Sequence, residues 1–160
     1  MKVKSRVQIR KSEKNKLLKE LRSTFGDAVD AFADKRFETA TADDIPIVMI
    51  EGEVVLFKIG DTYFPTVKGV LQLGLRSNLV TVDAGAVRFV VNGADVMCPG
   101  IVSADDNIEP DDPVIIIEET HKKPLAIGTA LMPGDQMNAS SGKAVKSVHY
   151  VGDKLWNLDI

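Results

Sequence analysis

The chain has 160 residues, 44% of them hydrophobic, which is enough for one large domain or two small ones and excludes global disorder. Its single cysteine, Cys98, excludes an internal disulfide framework and fits a reducing compartment. The net charge of −3 hides a polarity: residues 1–22 carry nine Lys or Arg against Glu13 and Glu20, whereas residues 80–160 carry six basic side chains against twelve acidic ones. Lys2, Lys4 and Arg6 interrupt any signal-peptide pattern. Apolar runs such as Val114 to Ile117 are too short to span a bilayer. The expectation is a soluble, cytoplasmic protein that binds neither membrane nor DNA.

Lys2 to Arg10 alternates Val3, Val7 and Ile9 with basic residues, a strand pattern with one wet face. Ser12 stands as the N-cap of a helix whose core face is Leu17, Leu18, Leu21 and Phe25, with Gly26 as its stop. Asp27 to Ala33 adds a helical turn or two around Val29 and Phe32. Ile45–Ile50 and Val54–Ile59 read as strands joined through Glu51-Gly52-Glu53, a hairpin signal. A turn at Gly60-Asp61 leads to Thr62-Tyr63-Phe64. Thr66 to Leu73 reads as a short helix with Val67, Val70 and Leu71 on one side. Leu75 to Thr81 is taken as the junction between two domains.

Asp83 to Asn92 is amphipathic, and Gly93 suits its C-terminus. The chain then runs extended to the Pro99-Gly100 turn and becomes almost entirely β. Val114-Ile115-Ile116-Ile117 has the unbroken apolar character of a strand buried on both faces. Pro124 to Met132 supplies another strand, whose Gly128 marks a bulge or a close backbone approach. Lys143–Val151 and Leu155–Leu158 read as a terminal hairpin around Gly152-Asp153. Short strands with Gly and Pro turns imply a small barrel. The fold class is therefore α+β: a mixed α/β domain over residues 1–79, then a β-barrel over residues 80–160.

Gly93-Ala94-Asp95-Val96-Met97-Cys98-Pro99-Gly100 resembles the helix-to-strand junction of a PUA domain, an RNA-binding barrel. Val82 to Val90 resembles the lead-in to that module's first helix, and Val148 to Trp156 its last hairpin. Glu51 to Phe57 and Tyr63 to Thr66 resemble the domain that precedes it in the malignant T-cell-amplified-sequence proteins, which are translation re-initiation and recycling factors. The resemblance covers about residues 50 to 158. It implies a non-enzymatic RNA-binding protein of the translation apparatus, with no cofactor. The implied partners are structured RNA (tRNA or small-subunit rRNA), the small ribosomal subunit and a second translation factor. It also places an RNA groove at the first helix and following strand, hence at Gly93 and Ala94.

The residue chemistry next to this is modest. Gly93 and Ala94 offer peptide groups with almost no side chain, so nucleic acid could approach closely, although Gly93 also reads simply as a helix cap. Arg88 and Asn92 are candidates for phosphate and base contacts; Lys143 and Lys146 are candidates for phosphate. Asp95 would repel phosphate. Residues 133–144 resemble a P-loop only superficially: the spacing is wrong and Ala144 stands where Ser or Thr should bind magnesium. They read as a mobile loop. Cys98 reads as a buried inert thiol, His121 as solvated, and His149 as packing or stacking on a base. No zinc spacing exists. Asp43-Asp44, Asp105-Asp106 and Asp111-Asp112 read as turns and caps rather than ion sites. Aromatics at 6% provide no stacking face, and Tyr63, Phe64, Tyr150 and Trp156 read as packing residues.

PUA modules also accompany RNA-modifying enzymes, but 79 residues without an acid, base and nucleophile in array cannot form a catalytic domain. An adaptor without direct RNA binding is the other alternative.

Overall fold

The computed structural model describes residues 1–158. It comprises two compact units: Met1–Leu75 together with Asn157 and Leu158, and Arg76–Trp156.

The first unit contains β1 (Val3–Gln8), α1 (Lys11–Phe25), β2 (Phe37–Ala42), β3 (Ile45–Ile50), β4 (Glu53–Ile59), β5 (Thr62–Pro65) and α2 (Val67–Leu73). A 3-10 segment, Gly26–Phe32, follows α1. The strands form an antiparallel meander in the order β1-β2-β3-β4-β5. Glu51 and Gly52 both have positive φ, 53° and 81°, the twist that lets a two-residue turn close the β3–β4 hairpin. Leu17, Leu18, Leu21 and Phe25 are the buried face of α1. Phe25 meets Phe64 edge to face, with ring centroids 5.3 Å apart. Thr66 caps α2 by accepting from the Gly69 N–H at 3.1 Å and donates to the Val54 carbonyl at 2.9 Å.

The second unit contains β6 (Leu79–Val82), α3 (Ala84–Val90), β7 (Val96–Met97), β8 (Ile101–Ala104), β9 (Pro113–Glu118), β10 (Pro124–Ala130) and β11 (Lys143–Tyr150). The sheet order is β7-β11-β10-β9-β6-β8. Its two ends, β7 and β8, are joined by a single 3-10 turn, Cys98–Gly100. That short tether curls the sheet onto itself into a near-closed barrel. The β6–β9 pair is parallel and every other pair is antiparallel. Inside lie Val80, Val82, Val114, Ile116, Ala126 and Val145, all fully buried.

Several elements differ from the expectations. β1 is exposed on both faces, with Val7 57% exposed, because it is an edge strand with a bulge between Lys4 and Val7. Arg10, not Ser12, is the N-cap of α1, and no side chain caps it; Ser12 lies in the first turn. Leu71 faces solvent, and Leu73 completes the buried face of α2. β2 and β8 are strands beyond those expected, and β6 begins within the Leu75–Thr81 junction and runs one residue past it. Leu155–Leu158 is not a strand. The chain turns there because Asp153 accepts from the N–H groups of Tyr150 and Trp156, at 3.0 and 2.7 Å. Residues 133–144 are anchored rather than loose. A 3-10 turn spans Gly134–Gln136, Met137 is fully buried, and a Cβ on Gly134 would lie 2.0 Å from the Asp105 carbonyl oxygen.

Candidate nucleic-acid interface

The junction after α3 is built from capping chemistry. Asp83 accepts from the Ala86 N–H at 2.9 Å and starts the helix. At the other end the Gly93 N–H donates to the Val90 carbonyl and the Ala94 N–H to the Phe89 carbonyl, both at 3.0 Å. Gly93 has φ +89°, a conformation that favours glycine. Its missing Cβ would sit 2.8 Å from the Tyr150 ring.

Between α3 and β7 lies a groove of about 550 Å³. Phe89, Ala94, Val96, Met97 and Pro99 form its apolar surface, with Asp83 and Asp95 beside them. Phe89 is 53% and Met97 47% exposed, large fractions for apolar side chains. The Arg88 guanidinium sits 4.8 Å from the centroid of the Phe89 ring, at the margin of this groove.

Asp95 organises the opposite margin. It accepts from the Ser147 N–H at 2.8 Å and pairs with Lys143 Nζ at 3.0 Å. The Ser147 hydrogen bond first, and the Lys143 bond next, hold its carboxyl below the ordinary range; the Lys146 charge adds to this. Asp95 therefore ties β7 to β11 and gathers Lys143 and Lys146 about itself. The expected repulsion of phosphate by Asp95 is offset by these two cations.

Of the six residues expected at the site, Ala94 alone lines the groove, and it is exposed. Gly93 is covered by Tyr150. Asn92 spends its side-chain N–H on the Arg88 carbonyl at 2.7 Å, as a helix C-terminal cap. Arg88, Lys143 and Lys146 are exposed. Phe89 and Met97 were missed by the sequence reading. A signal for Phe89 exists: Val87, Val90 and Val91 mark the core side of α3, and Phe89 projects about 160° away from it.

The other candidate groups are structural. His149 is buried and donates from Nδ1 to Asp153 Oδ2 at 2.8 Å, since an ionised carboxylate only accepts. Burial pushes the Asp153 carboxyl up, but the hydrogen bonds from His149, Trp156 and Tyr150 outweigh it and hold the pKa low. Cys98 is buried, with Sγ 3.7 Å from Met132 Sδ. Asp43, Asp105 and Asp112 each accept a backbone N–H, from Lys2, Leu79 and Glu109. No group of metal-ligating side chains occurs among the described residues. None of their helices is long and apolar enough to cross a membrane.

The PUA domain profile matches residues 78–151, which contain the whole groove. An uncharacterised protein of Methanocaldococcus jannaschii is 45% identical over 161 residues, covering 99% of both chains. Translation machinery-associated protein 20 of Saccharomyces cerevisiae is 31% identical over 169 residues, covering 99% of this chain and 92% of that one. The solved structure of a conserved PUA domain protein from Thermoplasma acidophilum superposes with a TM-score of 0.80 at 31% identity, covering 94% of this chain and 97% of that one. The chain belongs to the PUA-domain family that includes translation machinery-associated protein 20 and the malignant T-cell-amplified-sequence proteins.

Proposed function

We propose that this is a non-enzymatic, cytoplasmic RNA-binding protein of the translation apparatus that aids initiation, re-initiation or recycling. Its ligand would be a structured RNA, a tRNA or small-subunit rRNA. The small ribosomal subunit and a second translation factor are its candidate partners. The observation that carries this reading is the α3–β7 groove. Exposed Phe89 and Met97 form an apolar surface, Arg88 stands at one margin, and at the other Lys146 lies beside the Lys143–Asp95 ion pair. Such a site suits an unstacked base lying on the apolar residues, with its backbone held by the flanking cations. The names of the relatives support the translation setting.

The test is direct binding of a labelled RNA hairpin with a single-stranded 3′ end. Ala94→Tyr fills the groove from an exposed position and should weaken binding while the melting temperature stays unchanged. A folded Ala94→Tyr protein that binds as tightly as wild type would remove the groove from the reading. The acidic excess of residues 80–160 favours a second reading, an adaptor that does not touch RNA. RNA affinity that falls steeply with salt supports the first reading, because cations that contact phosphates release the counterions condensed on RNA, whereas an adaptor of the second kind shows no such affinity.

A further inference from the structure

We infer that the first unit carries a second RNA contact, a basic pocket and ridge on α1 that binds the phosphodiester backbone. The inference rests on the reading that the protein binds RNA, but it uses residues remote in sequence from the α3–β7 groove. A cavity of about 230 Å³ lies where α1 begins. Lys11, Lys14, Lys35 and Arg36 line it together with Gln8 and Asn15, and no carboxylate is among its lining residues. Lys14 is fixed in place: its Nζ donates to the Lys35 carbonyl and lies 5.0 Å from the centroid of the Phe37 ring. Arg36 keeps a loose pairing with Glu38 at 3.5 Å, whereas Glu38 bonds Arg6 more closely at 2.8 Å.

The positive charge continues beyond the pocket. Lys11, Asn15 and Lys19 share one exposed ridge of α1, at i, i+4 and i+8. That ridge extends about 12 Å from Lys11 to Lys19. Neither lysine has a salt-bridge partner among the described residues. Glu13 and Glu20, the acidic residues of α1, fall roughly 150° around the helix from the ridge. Lys16 shares the side of Glu13 and Glu20, at i+3 and i−4 from them, whereas no ridge residue has a carboxylate three or four positions away on the helix. Lys19 lies too far along the ridge to serve a single phosphate held in the pocket. Together the pocket and ridge fit a polyanion with regularly spaced charges. Of the apolar lining residues Phe37 is buried, Ile9 is half-buried, and the exposed one, Ala33, is too small to serve as the large apolar anchor that a protein partner would use.

The experiment titrates a labelled RNA hairpin into the full chain at several salt concentrations. It compares wild type, Lys11→Gln with Lys19→Gln, and Ala94→Tyr, after melting curves establish that all are folded. Lys19→Gln alone serves if the double variant melts early. The double variant should lose about tenfold in affinity at low salt and flatten the log–log salt slope by up to about two units, one per lost phosphate contact. Ala94→Tyr should lose affinity with little change in slope.

Unchanged affinity and slope in the double variant, with loss in Ala94→Tyr, would overturn the α1 contact and leave the groove intact. Loss in the double variant alone would support the α1 contact and refute the groove. Inorganic phosphate that displaces the hairpin completely at matched ionic strength would make the pocket a small-anion site. Polyglutamate that displaces it as well as unlabelled RNA does would make the ridge an acidic-protein site. Absence of any hairpin binding by wild type would overturn both readings. The last three results each refute the backbone contact.

Discussion

Gly93 is held by two demands at once. Its φ of +89° is one that side chains resist, and the Tyr150 ring occupies the place of a Cβ. Gly93→Ala should therefore cost about 1–3 kcal/mol, seen as a lower melting temperature in the absence of RNA. Weaker RNA binding by such a variant would report folding as much as recognition, which is why Ala94 is the better probe of the groove. Asp153 gives a second residue-scale expectation. Its folded pKa is depressed from the ordinary 3.8, so its contribution to stability is present above that value and is lost as pH falls through the folded pKa. Asp153→Asn should destabilise the protein near neutral pH and soften the acid limb of a melting-temperature profile below about pH 4. An acid limb identical to that of wild type would show that ionisation of Asp153 adds nothing to stability. The sequence named Arg88, Asn92, Gly93, Ala94, Lys143 and Lys146, but not which of them line the groove. Whether Gly93 faces a ligand or a tyrosine depends on Tyr150, which lies 57 residues away in sequence.

The β10–β11 pair depends on one absent side chain. A Cβ on Gly128 would lie 2.4 Å from Val145 Cγ1 and 2.7 Å from the Lys146 carbonyl oxygen, where the register shifts between Ile127 and Gly128. Gly128→Ala should lower the midpoint of urea unfolding, by about 1–3 kcal/mol of stability, because neither the backbone nor a fully buried Val145 gives way easily. The bulge was legible in the sequence, as were β3, β4, β9 and β10, because apolar runs and turn residues mark them. β2 was not: Phe37-Glu38-Thr39-Ala40-Thr41-Ala42 has small side chains and a weak apolar signal. β6 and β8 are four residues each, too short for periodicity to declare. The false terminal hairpin arose because Gly152-Asp153 looks like a strand-reversing turn, whereas the Asp153 carboxylate gathers N–H groups on both sides of itself.

At the scale of the molecule, β6 matters beyond its length. It lies between β9 and β8, inside the sheet, and runs parallel to β9. A fragment spanning residues 76–156 should give a cooperative thermal transition, whereas one spanning 84–156 should not, because removing an inner strand opens the barrel, strips β8 of its partner and leaves one edge of β9 bare. The same arrangement sets an order of events during synthesis. Each sheet pairing from β2 to β5 joins consecutive strands, so each needs only the next few residues of chain to form. β6 must instead wait for β9, more than thirty residues later, before its amides find partners on that side. The nascent first unit should thus be protected while the second is still open. Pulse-labelled hydrogen exchange on refolding chains should find the amides of Ile47 to Leu56 closed before those of Val80 to Val82. The reverse order would place the folding nucleus in the barrel.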